Sequence, residues 1–230
     1  MLDEAVAAMA KKPVPSFQSV DVLRMFPTFV WKASLGPEVS GPLNQALLRT
    51  LGEAGAPLDD LRPGESWQSD HKLHEGPGIS GLSDHIEAAA EAVLEHLKIS
   101  HEGFRVTGCW ANVNAPGAEH RPHSHPNNYL SGVYYVQVAE GADSINFHDP
   151  RPQVGIIRPP VRELTAENAD QVTVMVKDGD LLLFPGWLQH SVDANLSRRP
   201  RISISFNVMF AAYAEVMGRP QWQGGRRGPS

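Results

Sequence analysis

Three histidines lie within one short segment of the chain, and their spacing is the strongest chemical signal in the sequence. They are His120, His123 and His125. In an extended strand alternate side chains share a face, so His123 and His125 are predicted to point together and His120 away from them. Two such imidazoles can bind one metal ion if a third ligand comes from elsewhere. His190, which follows an apolar strand and a Pro-Gly turn, is predicted to supply it. A surface loop without metal is the alternative.

The segment 201–208 predicts an anion-binding strand. Polar and apolar residues alternate along it, so Arg201, Ser203, Ser205 and Asn207 share one face while the other face is apolar. An arginine can hold a carboxylate with two parallel hydrogen bonds, and small hydroxyls and an amide can complete such a receptor. A polar face exposed to solvent is the simpler alternative.

Composition excludes several classes of protein. The chain has 230 residues, with Lys plus Arg 20, Asp plus Glu 26 and a net charge of -6. This balance does not favour electrostatic binding of nucleic acid or of anionic membranes. The single cysteine, Cys109, excludes a disulfide scaffold and a thiolate zinc cluster. A metal would therefore be held by nitrogen and oxygen, and the chain has ten histidines. Five of them are predicted to have no role in the site: His71, His74, His85, His96 and His101.

Helices are predicted in the first half of the chain and strands in the second. Apolar residues at helical spacing indicate helices over 42–53 and from Ser83, as N-cap, to 98. Short runs bounded by turn residues then predict six strands, and their order favours an all-β sandwich or barrel with the helices on one face. These strands cover 104–113, 129–138, 144–147, 171–176, 180–184 and 201–209.

The sequence predicts one domain over 17–212, a flexible leader over 1–16 and a loose tail over 213–230. The N-terminus is acidic where a secretory signal would be basic, and no apolar run approaches the length that spans a bilayer. A cytoplasmic location is therefore expected.

Several motifs together resemble those of the Fe(II)/2-oxoglutarate-dependent dioxygenases, in particular a prolyl-hydroxylase-like branch of bacterial and phage proteins. The resemblance covers about residues 20–212. It implies a double-stranded β-helix, the jelly-roll fold that cupins share, with the helices of the N-terminal half packed on one face. The motifs are Trp110-Ala111-Asn112, His123-Ser124-His125-Pro126-Asn127, Leu130-Ser131-Gly132-Val133-Tyr134-Tyr135-Val136, Ile145-Asn146-Phe147-His148-Asp149-Pro150-Arg151, the segment 179–190 and the segment 201–207.

The resemblance also implies a metal site, with one departure from the family pattern. The superfamily usually has a carboxylate two residues after its first ligand histidine, and here that position is His125. The implied ligands are therefore His123, His125 and His190. Imidazole suits iron, zinc and copper, so the metal identity is less firmly implied than usual. Alternatively His125 contacts the ligand residues but not the metal, and Asp149 or Glu119 binds the metal instead.

The cofactors implied by the resemblance are Fe(II), 2-oxoglutarate as co-substrate, and O2. Arg201 with Ser203, Asn207 and Tyr135 would hold the far carboxylate of 2-oxoglutarate. The reaction implied is hydroxylation with release of succinate and CO2, while halogenation and desaturation stay open. The expected substrate is a small molecule or an amino acid or peptide, with no nucleic-acid or membrane partner, and a homodimer is compatible with the sequence.

Three further residues are candidates for the substrate side of the site: Asn112, His148 and Arg151. Each of them is equally compatible with a structural role, since His148 and Arg151 could simply fasten a loop.

Three other classes of protein fit part of the pattern. Gly117 and the spacing from Gly179 to His190 match cupin motifs, so a three-histidine cupin dioxygenase or isomerase that does not use 2-oxoglutarate is the main alternative. A zinc hydrolase or hydratase also uses three histidines and water. A non-enzymatic jelly-roll binding module is the third alternative. Arg201 distinguishes a 2-oxoglutarate-dependent dioxygenase from the cupin, since only the former needs an arginine to hold the far carboxylate of 2-oxoglutarate.

Overall fold

The computed structural model describes residues 17–23, 25–152 and 156–214 of the chain. The predicted leader and nearly all of the predicted tail lie outside these residues, so the domain boundaries stay predictions. The strands are β1 Trp31–Ser34, β2 Ser66–Gln68, β3 Phe104–Asn114, β4 His120–His123, β5 Leu130–Gln137, β6 Ser144–His148, β7 Gln171–Met175, β8 Asp180–Pro185, β9 His190–Val192 and β10 Arg201–Phe210; the helices are α1 Pro37–Glu53, α2 Ser80–His96 and α3 Ala211–Ala214.

Two antiparallel sheets form the fold. The major sheet has six strands in the order β1-β8-β5-β10-β3-β2, and the minor sheet has four in the order β4-β9-β6-β7. From β3 onward the chain passes from one sheet to the other at every strand, except that β6 and β7 form a hairpin within the minor sheet. This is the double-stranded β-helix, as predicted.

Helices α1 and α2 cover one face of the major sheet. Leu47 and Leu51 of α1 and Leu82 and Ile86 of α2 are buried in one cluster with apolar residues of the sheet. Burial of each such side chain stabilises the fold by about 1.5–3 kcal/mol. The prediction that the helices pack on one face is confirmed. The strand residues of this cluster include Ile202, Ile204, Phe206 and Val208 of β10.

The opposite face of the major sheet looks toward the minor sheet. At one end the space between the sheets is filled by a second apolar cluster, which includes Val133, Ile145, Phe147 and Phe184. At the other end the polar face of β10 lines a cavity. The alternation read from the β10 sequence therefore separates a core face from a cavity face.

Both helices start earlier than the sequence predicts. Helix α1 begins at Pro37, which suits a first helical position because its missing N–H has no partner there. Ser83 is not the N-cap of α2, because a short 3-10 turn over Pro77–Ile79 leads directly into the helix. The Ser83 hydroxyl instead bonds the carbonyl of Ile79 four residues earlier at 3.3 Å, as serines inside helices do.

All six predicted strands are present, with ends that differ by one residue or not at all. Four strands lie outside the predicted set, namely β1, β2, β4 and β9, and each has only three or four residues. Runs this short carry too little periodicity to be distinguished from loop. Within the described ranges, no helix has the length and apolar character that crossing a bilayer requires.

Candidate metal and co-substrate site

Strand pairing in the minor sheet brings the first two histidines together. His123 of β4 lies directly opposite His190 of β9 in the antiparallel register. Side chains of directly opposed residues project from the same face, and here the two ring centroids are 4.4 Å apart. The sequence separation of these residues is large, so only the sheet register determines this contact.

His125 joins this pair from just beyond the end of β4. Its backbone N–H donates to the carbonyl of Gly186 at 2.8 Å, and its ring lies 5.1 Å from that of His123. A side chain at residue 186 would place Cβ 2.4 Å from the backbone oxygen of Asn128. The Pro-Gly turn therefore needs glycine so that the His125 segment can approach. One ligating atom from each of His123, His125 and His190 lies within 4.8 Å of the others, which is compatible with one shared metal ion.

Backbone carbonyls fix the proton positions of two of these rings. Nδ1 of His123 donates to the carbonyl of Arg121 at 2.8 Å, and Nδ1 of His190 donates to the carbonyl of Leu188 at 3.0 Å. A ring nitrogen next to a carbonyl must carry the proton, so the Nε2 lone pair of each ring is left for a metal.

Burial keeps two of the three imidazoles neutral. It lowers the pKa of His190 to about 3, with the neighbouring histidines acting in the same direction and the Leu188 carbonyl opposing. Burial, followed by the proximity of His123 and His71, lowers the pKa of His125 to about 4. Neutral imidazole is the form that binds metal, so these rings can accept a metal at neutral pH without losing a proton.

The two carboxylates that the sequence left as alternative ligands have other partners. Asp149 is paired with Arg151 through several hydrogen bonds. Glu119 is an exposed residue beside Arg121, at 4.0 Å. Neither belongs to the group of residues that could share a metal ion within the described ranges.

The opposite part of the cavity holds a buried cation. Arg201 is 3% exposed and Tyr135 is fully buried, and the guanidinium carbon lies 5.2 Å from the tyrosine ring centroid. Among the described residues no carboxylate pairs with Arg201, and neither its Nε nor the Tyr135 hydroxyl has a hydrogen-bond partner. Buried polar atoms of this kind normally have partners, so their position indicates a place for an anion.

The other predicted anion-binding residues line the same cavity. Ser203 lies opposite Tyr135 in the pairing of β10 with β5. Asn207 lies farther along β10, where its Oδ1 accepts a hydrogen bond from Ser131 at 2.7 Å. Burial raises the pKa of Tyr135 to about 12, and nearby Arg201 opposes this rise. The tyrosine is therefore a neutral hydrogen-bond donor beside the arginine.

The candidate substrate residues divide between the cavity and the outer surface. Asn112 lines the cavity, where its Oδ1 accepts from Gln68 at 3.1 Å and its Nδ2 donates to Ser205 at 3.0 Å. His148 lies on the outer face of the minor sheet, where its ring contacts the hydroxyl of Ser191 at 2.9 Å. Arg151 is exposed and bonded to its neighbour Asp149, so the structure does not bring it or His148 to the cavity.

The prediction that His120 points away from the other two histidines is wrong. In the β4–β9 register His120 faces Val192 and His123 faces His190, so three steps along β4 match two along β9. This irregularity is a β-bulge, which adds one residue and puts His120 on the same face as His123. Its ring lines the cavity and contacts Asn114.

His71, which the sequence reasoning left outside the site, also lines the cavity. It stacks on Trp110, with ring centroids 4.4 Å apart and an interplanar angle of 14°. It lies in a turn shortly after β2, whose last residue, Gln68, also lines the cavity. This segment has no motif or periodicity that identifies either residue, and the pairing of β2 with β3 places it.

The resulting cavity has a volume of about 270 Å³, and its lining has one arginine, several histidines and no Asp or Glu among the described residues. A ligand in it would meet the histidine cluster and the buried arginine. The polar lining residues are Gln68, His71, Asn112, Asn114, His120, His123, His125, Tyr135, His190, Arg201, Ser203, Ser205 and Asn207.

The segment that builds this cavity matches a known protein family. Residues 108–207 match the family model described as "Putative 2OG-Fe(II) oxygenase", and they include the three clustered histidines, Tyr135 and Arg201. Residues 108–207 are therefore similar to the 2OG-Fe(II) oxygenase family. The family prediction made from the sequence motifs is thereby confirmed.

Solved structures share the fold of this chain at low sequence identity. The epimerase SnoN from nogalamycin biosynthesis is 17% identical with a TM-score of 0.56, covering 80% of this chain and 79% of its own. A Pseudomonas putida prolyl-4-hydroxylase is 16% identical, with a TM-score of 0.53 and coverage of 80% and 93%. HygX from Streptomyces hygroscopicus, solved with nickel and 2-oxoglutarate, is 13% identical, with a TM-score of 0.52 and coverage of 80% and 84%. A search of curated proteins finds no match.

Proposed function

We propose that this protein is an Fe(II)- and 2-oxoglutarate-dependent oxygenase with a three-histidine metal site. One observation carries the proposal: a cluster of metal-competent imidazoles and a buried arginine without an acidic partner among the described residues line the same cavity of an oxygenase fold. A metal ion and a dicarboxylate need these two features in one cavity.

The donor set fits a divalent metal. His123, His125 and His190 would hold the ion through neutral nitrogens, and two of them have their outer nitrogens bonded to backbone carbonyls. Imidazole is a good ligand for iron. When bound, iron would supply activation of O2, coupled to conversion of 2-oxoglutarate to succinate and CO2 and to oxidation of the substrate.

The polar groups at the arginine fit 2-oxoglutarate. Arg201 and the Tyr135 hydroxyl would bind its far carboxylate, which would give partners to the buried atoms that lack them. Ser203 and Asn207 would add hydrogen bonds from the same strand. A charged hydrogen bond of this kind contributes about 1.5–3 kcal/mol.

Asn112 would contribute to the substrate side, and Gln68 would hold its amide through their hydrogen bond. The expected substrate is a small molecule or an amino acid or peptide, and hydroxylation is the expected outcome. Among the proteins with this fold, one is a prolyl-4-hydroxylase, and HygX has been solved with hygromycin B. His148 and Arg151, which lie outside the cavity lining, have no part in this proposal.

A metal-dependent 2-oxoglutarate assay tests the proposal. Purified protein reconstituted anaerobically with Fe(II) should bind about one metal ion and one 2-oxoglutarate per chain. With O2 and a panel of amino acids, peptides and small metabolites, it should release succinate. Metal binding that is not followed by 2-oxoglutarate binding would favour a three-histidine cupin dioxygenase or isomerase instead.

Single alanine variants test the ligand set. His123→Ala, His125→Ala and His190→Ala should each lower the bound metal at least tenfold, since each removes one of three ligands. His101→Ala is the matched control, because His101 lies outside the cavity beside Phe104. Full metal content in His125→Ala would mean that His125 does not itself bind the metal.

A further inference from the structure

His120 lies in the cavity because of the bulge in β4, and neither the metal cluster nor the anion-binding set includes it. The bulge turns its ring to the face that carries His123. Its nearest polar contact is Asn114 of β3, in the opposite sheet. His120 therefore bridges the two sheets across the cavity.

Asn114 determines which nitrogen of His120 carries the proton. Nδ2 of Asn114 donates to Ser66 Oγ at 3.0 Å and to Nε2 of His120 at 2.7 Å. Because Nε2 accepts this bond, the ring proton of neutral His120 lies on Nδ1. No described residue bonds Nδ1, so His120 has a free N–H donor.

The His120 ring lies at the arginine end of the cavity. Asn114 is directly opposite Arg201 in the pairing of β3 with β10, so its partner His120 is held near the same end of the cavity. Burial, then the charge of Arg201 and the proximity of His123, lower the pKa of His120 to about 4. A second cation beside Arg201 is therefore disfavoured, and the ring acts as a neutral donor.

We propose that His120 is a co-substrate-binding residue, whose Nδ1–H donates a hydrogen bond to the 2-oxoglutarate carboxylate held by Arg201. This inference rests on the proposed function, since it concerns the same ligand. A neutral donor opposite the arginine adds a directed bond from the minor sheet, whereas Arg201, Ser203 and Tyr135 all belong to the major sheet. The carboxylate would then be bound from both sheets.

Two isosteric variants test the position of the donor. Asparagine places its amide nitrogen near the position of Nδ1, whereas glutamine reaches the position of Nε2. We therefore expect His120→Gln to raise the 2-oxoglutarate Kd about tenfold or more, and His120→Asn to raise it less than about threefold. Kd is measured by anaerobic calorimetry on Fe(II)-loaded protein, with metal content and thermal midpoint recorded for each variant.

The controls separate this inference from folding and from the proposed function. His101→Gln, at another partly buried histidine outside the cavity, should leave the Kd within about twofold of wild type. Wild-type protein that binds no 2-oxoglutarate would refute the proposed function itself. Wild-type affinity in a folded, metal-loaded His120→Gln variant would overturn the role of His120 alone, and so would equal losses in the Gln and Asn variants.

A truncated ligand tests which carboxylate is involved. In 2-oxopentanoate a methyl group replaces the far carboxylate, so the hydrogen bond to His120 has no acceptor. The wild-type and His120→Gln proteins should then bind it with similar Kd values. A loss as large as that for 2-oxoglutarate would place the bond at the metal end of the ligand and overturn the assignment.

Discussion

At the scale of single residues, the site depends on polar groups that burial leaves without partners. Arg201 is the clearest case, because its Nε is buried and unbonded while most buried polar atoms are paired. A buried cation without a counter-ion lowers the stability of the folded protein, and binding of an anion raises it again. Binding of an anionic ligand at Arg201 should therefore stabilise the folded protein against unfolding.

Replacement of Arg201 should therefore weaken binding of the co-substrate without removing the metal. Arg201→Gln removes the charge and is expected to raise the 2-oxoglutarate Kd by about tenfold to a hundredfold, from the strength of a charged hydrogen bond. Calorimetry on metal-loaded protein measures this effect. Arg199→Gln is the control, because that exposed arginine bonds Gln137 and not the cavity. Unchanged affinity in Arg201→Gln would contradict the anion-site assignment.

At the scale of elements, two irregularities in the strands place the site. The bulge in β4 turns His120 inward, and the turn at Gly186 lets the segment after β4 approach closely. The bulge lies in an edge strand of the minor sheet and the turn lies between β8 and β9, so both adjoin the histidine cluster. Regular strands would have placed His120 on the outer face.

The Gly186 turn can be tested by adding a single methyl group. Gly186→Ala would bring Cβ against the backbone of Asn128 and His125, so the turn must shift. We expect about 1–3 kcal/mol of destabilisation and a weaker metal Kd, because His125 loses its position. Gly41→Ala is the matched control: this helical glycine has open space, and the change should stabilise by about 0.5–1 kcal/mol. Wild-type metal affinity in Gly186→Ala would refute the role of the turn.

At the scale of the whole molecule, the stability of the metal-free protein should depend on pH. The pKa values of His190 and His125 are about 3 and 4 in the folded state, below the ordinary 6.5. The unfolded chain therefore binds more protons below pH 6.5, so stability is complete above that pH and falls as the pH drops toward 4. The slope is at most about 1.4 kcal/mol per pH unit for each histidine, and smaller for His125, which solvent reaches.

Denaturant unfolding of metal-free protein between pH 7.5 and about 4.5 measures this slope. His190→Gln should be less sensitive to pH than wild type over this window, because it lacks the more strongly shifted histidine. Identical pH profiles for the two proteins would mean that His190 does not contribute.

The sequence alone determined the periodic parts of the molecule. The alternation along 201–208 predicted a strand with an apolar core face, and helical spacing predicted α1 and α2 with their ends misplaced by a few residues. These predictions succeed because burial of apolar side chains imposes the period of each element on the sequence. Residue type and spacing likewise identified His123, His125 and Arg201 as candidate site residues, and all three line the cavity.

Only the tertiary structure decided which residues share the cavity. Five of the ten histidines line it. His71 is there against the sequence expectation and the β4 bulge turns His120 into it, while His148 and Arg151 do not line it. The physical reason is that sheet register and bulges are set by pairing between distant segments, which a local pattern does not encode. The chain thus specifies its donors locally, and the packing of two sheets determines which of them meet.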